Sequence, residues 1–328
     1  MQISFSDAEF SSKKKVTRRE RLLNDLDRLI PWTALKEALE PHYPKNKGPG
    51  RPTRGLETML RMYVVQLVLG LSDEGTEDAV YDSQSVRRFV GIDLGRQDAP
   101  DHTTLTKFRH RLEQHDLTRV IFETINGQLS ANGLFLKEGT IVDATLIAAP
   151  PSTKNRDKAR DPEMHQSKKG NQWHFGLKAH IGADLGSGLV HTMVATAGNV
   201  SDITQAHALL HGEERAALGD AGYQGIEKRP EMADCRAQWH VAMRPGKRKE
   251  LKEDDPLDQR IEQYEKCKAS LRAKVEHPFH VIKNLFKHRK ARYRGLAKNQ
   301  AHLFSLFGLA NLVLAKRYLE PVHSQGAS

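Results

Sequence analysis

Cysteine is almost missing from this chain: of 328 residues only Cys235 and Cys267 carry a thiol. They form no CxxC pair and no even framework of bridges. A disulfide-stapled secreted module is therefore excluded, and a reducing cytoplasm fits. Long apolar runs are lacking as well. The longest, LFSLFGLANLVLA from residue 303, falls short of the about 20 residues that cross a bilayer, and MQISFSDAEFSS has no apolar h-region. A soluble, cytoplasmic protein with no membrane partner is expected. No internal repeat is visible. Nor is there a glycine loop built to cradle a nucleotide, since GADLGSG reads as a hairpin turn.

Positive charge is in excess: 51 Lys and Arg stand against 41 Asp and Glu, a net +10. The first 135 residues hold 20 basic and 19 acidic side chains, whereas residues 136–328 hold 31 and 22, so the excess lies in the second part. Such a balance points to a polyanionic partner. The charge is also clustered. Lys13, Lys14, Lys15, Arg18, Arg19 and Arg21 face only Glu20, and residues 283–298 carry seven basic groups and no acid. Blocks of this kind are equally at home on solvated faces.

Length suggests two domains. Up to residue 135 the pattern is helical, with one helix over 18–40, then PHYPKNKGPGRP as a linker or extended basic arm. Leu56, Met59, Leu60, Tyr63, Val64, Leu67, Val68 and Leu71 recur at three and four, the spacing of an amphipathic helix. Shorter capped helices follow, with Arg87, Arg88, Lys107, Arg109 and Arg111 placed as in a DNA-reading bundle of helix-turn-helix kind. From residue 139 the pattern alternates with period two. GTIVDATLIA is a strand, WHFGLKAHIGAD and GLVHTMVATAG an antiparallel pair, SDITQAHALLHG a helix, AALGDAGY and WHVAMR two further strands. A long helix through residue 276 and a last one over 297–318 close the chain. The expectation is an α/β fold with a mixed sheet in residues 136–328, preceded by a helical, DNA-binding domain in residues 1–135. The polar stretch PPSTKNRDKARDPEMHQSKKGN between two strands reads as a functional loop.

Three carboxylates stand out. Asp143 sits in the middle of an apolar strand, where an unpaired acid is costly. Asp220 ends a strand before a glycine turn, where α/β sheets place ligands. Glu276 shares a helical face with Arg272 and Lys283, all within about 40° at 100° per residue. Two strand-end carboxylates and one on a later helix can converge and hold Mg²⁺ or Mn²⁺, as a pair of ions, by oxygen ligands. The histidines on the strand face of Lys178, His174 and His180, lack a third soft ligand and make only a weak zinc case.

These residues resemble the bacterial insertion-sequence DDE transposases of the IS-five group, over most of the chain. IVDATLI, RDPEMHQSKKGNQWHFGLKAHIGAD, GDAGYQG and the spacing R-x3-E-x6-K carry the resemblance. It implies an RNase H-like core with Asp143, Asp220 and Glu276 as metal-binding triad, Arg272 and Lys283 at substrate phosphates, and Tyr223 as partner of the second aspartate. It further implies cleavage and joining of double-stranded DNA at an element's terminal inverted repeats, a synapsis that needs at least a dimer. One departure is Ala269, where the family commonly has tyrosine. Pro278 is also awkward within a continuous helix. In the basic run, Phe286 and Tyr293 alternate with Lys287, Arg289, Lys290, Arg292 and Arg294 as a backbone-tracking surface with stacking positions would. Lys168 and Lys169 in the long loop are expected to clamp DNA likewise. Two other readings remain open, a nuclease of RNase H-like fold that cuts without joining, and a DNA-binding regulator with a structural acidic cluster.

Overall fold

The computed structural model describes residues 10, 12–44, 53–156 and 158–319. Most of the segment expected as a linker, residues 45–52, lies outside them, as does the side chain of Lys169. The helix expected over 18–40 is two helices, α1 (Arg18–Leu29) and α2 (Trp32–Leu39). Thr17 starts α1 with a capping box, its hydroxyl accepting from Glu20 N–H at 3.2 Å while Glu20 accepts from Thr17 N–H at 3.3 Å. Pro31 ends the run, because proline supplies no N–H to a continuing helix. Then come α3 (Leu56–Leu69), α4 (Asp73–Asp82), α5 (Gln84–Val90), α6 (His102–Gln114) and α7 (Leu117–Ala131).

The second part of the chain is built on a mixed sheet with the order β2-β3-β1-β5-β6. Its strands are β1 (Gly139–Ala148), β2 (His165–Lys169), β3 (Gln172–Asp184), β4 (Val190–Ala197), β5 (Ala216–Gly219) and β6 (Gln238–Val241). β1 runs antiparallel to β3 and parallel to β5, and β5 parallel to β6. β3 is long enough to pair twice along one edge, with β2 over Gln172–Gly176 and with β4 over Leu177–Ala183. Here the expected loop is partly a strand: HQSKK pairs across a turn at Gly170, whose φ of 60° is left-handed. Residues expected as an α-helix at Asp202–Leu209 wind as a 3₁₀ helix instead.

The last part of the chain begins with α8 (Pro256–Arg272). It does not run on as one α-helix. A 3₁₀ turn (Ala273–Val275), a short α turn (Glu276–His280) and a π segment (Val281–Leu285) follow in line. Changes of helical pitch on both sides accommodate Pro278, which is buried at the third position of the α turn. α9 (Leu296–Leu319) then crosses the molecule. It packs on α7 and on β4, and one apolar cluster joins Leu23, Met59 and Phe122 of the helical part with Ile141, Ile181 and Val190 of the sheet through Leu303, Phe304 and Phe307. A second, smaller cluster of Val142, Ala217, Tyr223 and Trp239 covers the other sheet face. Both faces are thus buried, as parallel strands require.

Candidate active site

The strand pairing delivers the first two carboxylates. β1 and β5 pair in parallel, ending with Ile141 opposite Leu218. Two residues further along each strand come Asp143 and Asp220, level with one another on neighbouring strands about 4.8 Å apart. Asp220 leaves the sheet by capping a single 3₁₀ turn, its Oδ1 accepting from Gly222 N–H at 2.8 Å. A Cβ on Gly222 would lie 2.9 Å from that oxygen, so a side chain there would push the Asp220 carboxylate aside.

The third carboxylate arrives from the helical segment packed on the same face. Val275, Phe279 and Ile282 sink into the main cluster, which leaves Glu276 exposed above the sheet. Its charge reaches Asp143. The carboxyl of Asp143 is pushed up to about 7, chiefly by burial and then by the neighbouring negative charges of Asp220 and Glu276; the Ala144 N–H and the Arg272 guanidinium pull the other way. Arg272 keeps its Nε buried and without a hydrogen-bond partner. Lys283 donates from Nζ to Thr145 Oγ1 at 2.6 Å and to the Leu146 carbonyl at 2.9 Å, which pins the π segment to β1 two and three residues beyond Asp143. Thr145, Glu276, His277, His280, Lys283 and Arg289 line an open groove running from this point.

Tyr223, implied as partner of the second aspartate, is a buried side chain behind the Asp220 turn. It is 1% exposed, stacked on Trp239 at 6.4 Å between ring centroids, with its ring against Gly219. Burial, then the charges of Asp202, Asp143 and Asp220, drive its hydroxyl far above the normal tyrosine range. It props the Asp220 turn from beneath. The same electrostatics expose an acid that sequence reasoning passed over. Asp202 accepts from Lys178 Nζ at 2.8 Å, and Lys178 lies opposite Leu146, so this lysine–aspartate pair sits on the Val142 face of the sheet, across it from Asp143. Its only signal in the sequence was the cap-like SDI. His180 is buried and bonded to Thr196 Oγ1 at 2.8 Å, which leaves the strand-face zinc case without support.

The basic residues divide into two sets. Lys14, Lys15, Arg18, Arg19, Lys168, Lys287, Arg289, Lys290 and Arg294 are exposed. Arg111 is half-buried beside Lys107 and Arg54 in a cleft of the helical part. Others are committed to the protein. Lys13 pairs with Glu20 at 2.6 Å. Arg109, expected on a DNA-facing surface, is 6% exposed; its guanidinium clasps Asp73, with Nη2 to Oδ2 at 3.0 Å, and lies 4.9 Å from the Tyr293 ring. Arg292 donates to the Leu71 carbonyl. The expected stacking positions are corrected too, since Phe286 is 1% exposed in the core and Tyr293 packs edge-on against His302. These side chains follow the wall where the basic run meets the helical part, and apolar burial decides their direction. Lys168 stands on a strand and not in a loop, because its segment pairs with β3.

Among the described residues, the acids and histidines that group at metal-ligand distances are His191, His211 and Glu214. This cluster is separate from the triad. Glu214 already accepts from the N–H groups of His211 and Gly212 at 2.6 and 2.7 Å and from Thr140 Oγ1 at 2.9 Å, while His191 Nε2 meets Thr140 Oγ1 at 3.0 Å. Hydrogen bonds account for it. The triad, by contrast, is an all-oxygen set left with mutually repelling charges, the donor chemistry of a hard divalent cation.

Comparison with known families agrees with this geometry. A family model described as Transposase DDE domain matches residues 134–312, more than half of the chain. The chain belongs to the DDE transposases. A second model, Transposase domain (DUF772), matches residues 10–111 and so covers much of the helical part. No solved structure matches the chain. As a DDE-family transposase it is an enzyme that acts on DNA, in a family that uses divalent metal; its helical region followed by a mixed sheet bears out the α/β fold read from the strand pattern and is consistent with the RNase H-like core that the resemblance implied. No described helix is long and apolar enough to cross a membrane.

Proposed function

We propose that this DDE-family transposase is of the IS-five group and mobilises an insertion sequence: it binds the terminal inverted repeats, cuts the DNA there and joins the freed ends to a target. Asp143, Asp220 and Glu276 would hold Mg²⁺ or Mn²⁺, as a pair of ions, through an all-oxygen ligand set. The observation that carries this is the electrostatic state of Asp143, pushed up to about 7 by burial and by two more carboxylates, which Arg272 offsets only in part. When bound, divalent metal supplies neutralising charge to the attacked phosphate. The chain's own residues do the rest. Arg272, with an unpartnered buried Nε, offers a donor to a phosphate oxygen. Lys283 fixes the π segment against β1 and so holds Glu276 over the aspartates. Tyr223 sets the turn that presents Asp220.

Division of labour follows the two family matches: residues 1–135 recognise the element ends and residues 136–328 perform the chemistry. The exposed cations Lys14, Lys15, Arg18, Arg19, Lys287, Arg289, Lys290 and Arg294 track the DNA backbone. Two ends must be held together, so the working form is at least a dimer on DNA, in the bacterial cytoplasm. The test uses purified protein, labelled element-end duplex and Mg²⁺, with wild type beside Glu276→Ala. Metal-dependent nicking and joining by the wild type, both lost in the variant while end binding survives, is expected. Cutting without joining would identify a nuclease, and binding without chemistry in either protein would leave a DNA-binding regulator.

A further inference from the structure

The β2–β3 pairing continues past the end of the sheet. β1 last pairs at Ala148 with Gly176, and one more contact, Ala149 N–H to the Phe175 carbonyl at 2.8 Å, closes the edge. Beyond it, residues 165–174 form a two-strand ribbon that no third strand covers, with register Gln166 to Phe175, Ser167 to His174, Lys168 to Trp173 and Lys169 to Gln172. Its root is firmly held. Met164 is 2% exposed, Gly198 N–H bonds the Gly176 carbonyl at 3.0 Å, and a Cβ on Gly176 would collide with the Ile147 carbonyl at 2.1 Å. The approach to the root is tied as well, since Asp161 accepts from Gly295 N–H at 2.7 Å and Glu163 from Leu296 N–H at 2.5 Å. The distal part is bare. Gln166, Lys168, Asn171, Gln172 and Trp173 are exposed, and Trp173, at 67%, is the most exposed of the large apolar side chains in the described residues.

A ribbon without a buried face has no reason to be stable alone. It persists here as an extension of β3, and it presents an indole, amide side chains and lysine with no acid anywhere in HQSKKGNQWHF. Those are the groups that meet nucleic acid: amides bond base edges, lysine neutralises phosphate, and an aromatic face or edge contacts bases. A two-stranded ribbon also has the width that a DNA major groove admits. The direction is right, because Asp143 lies opposite Ile181 on the same strand that carries Trp173. Eight residues at about 3.3 Å each put the indole within about 26 Å of the triad along β3, or about eight base pairs of duplex.

We infer that the β2–β3 ribbon is a reading arm that lies in the major groove of duplex DNA beside the cut, with Trp173 and Gln166, which share one face of the ribbon, and Asn171 at its turn on base edges, and Lys168 on phosphate. This rests on the transposase reading and names which bases that reading uses. It gives the specificity of cutting a source outside the helical part.

The wild type, Trp173→Ala, Gln166→Ala and Lys168→Ala are titrated with element-end duplex and with random duplex, and their melting temperatures are recorded; Gln166→Ala, on the face of Trp173, is expected to shrink the ratio of end to random binding. Trp173→Ala is expected to weaken end binding by about tenfold or more and to shrink the ratio of end to random binding. Lys168→Ala should weaken both duplexes alike and lower the salt slope by about one. Melting should not move, since the arm touches no core. Base-modification interference in the wild type should map within about eight base pairs of the cut and disappear at those positions in Trp173→Ala. Unchanged affinity and discrimination in Trp173→Ala overturns the arm, as does a loss confined to single-stranded DNA. Failure of the wild type to bind or cut element ends would instead overturn the transposase reading, so the two failures are distinct.

Discussion

At the scale of the single residue, Asp143 shows what the sequence can and cannot disclose. Its position, an acid inside an apolar strand, marked it at once, and the parallel register with β5 brings Asp220 level with it. Tyr223 followed Asp220 in the same motif, yet nothing in a linear string tells which side of a turn a ring will pack, and it went into the core. Asp202 escaped notice because the lysine that marks it is on another strand. The state of Asp143 has a measurable consequence. Its carboxyl is raised from an ordinary aspartate value of 3.8 to about 7 in the folded chain. For a raised acid, stability is fully present below the unfolded pKa and is lost as pH rises through the folded one. Metal-free wild type is therefore expected to lose stability between about pH 4 and pH 7, by up to a few kcal/mol from this group. Asp143→Asn should melt higher than wild type at pH 8 without metal and equally below pH 4. Added Mg²⁺ should raise the wild-type melting temperature at pH 8 and leave the variant unmoved; a wild type indifferent to both pH and Mg²⁺ would show that the acids do not repel one another.

At the scale of elements, periodicity located most helices and strands, and it failed where no face is buried or where burial comes from afar. The ribbon strand β2 has exposed residues along most of its length, so no alternation announced it. The basic run after Lys283 alternated charge with aromatics and looked like an exposed DNA track. Its aromatics instead point inward, and Gly70 fits against it so closely that a Cβ would sit 2.9 Å from the Phe286 carbonyl. Arg109 illustrates the same effect on a helix, where spacing assigned it to a charged face but Asp73 of α4 and Tyr293 enclose it. Two neighbouring arginines of α6 therefore have opposite fates. Arg109→Ala leaves Asp73 without its partner in a half-buried site, and a loss of about 3–5 kcal/mol is expected in denaturant titration. Arg111→Ala should leave stability within about 0.5 kcal/mol and lower DNA affinity at low salt. Reversal of these two outcomes would mean that Arg109 reaches DNA and that its pairing with Asp73 is dispensable.

At the scale of the whole molecule, length suggested two domains. The packing adds a dependence that no composition reveals. α9, the last described element, supplies apolar side chains to the core of the first ones: Phe304 meets Phe122 of α7 at 5.6 Å between rings, and Gly308 lets the Phe122 backbone approach. A buried polar joint locks the same three elements. Asn311 of α9 accepts from Val190 N–H of β4 at 2.8 Å and donates to the Val190 carbonyl at 2.7 Å and to Asn126 Oδ1 of α7 at 2.8 Å. Contacts between the first and last parts of a chain are invisible to local pattern, which is why the division at residue 135 looked sharper than the core is. Residues 1–135 expressed alone would leave Phe122, Ile125 and Leu129 of α7 uncovered. Such a fragment is expected to bind a hydrophobic dye and to melt without a cooperative transition, and a peptide spanning 296–319 added in trans should restore one. A sharp transition in the fragment by itself would show that the helical part carries a sufficient core, and that α9 serves only to hold recognition and chemistry in one rigid frame.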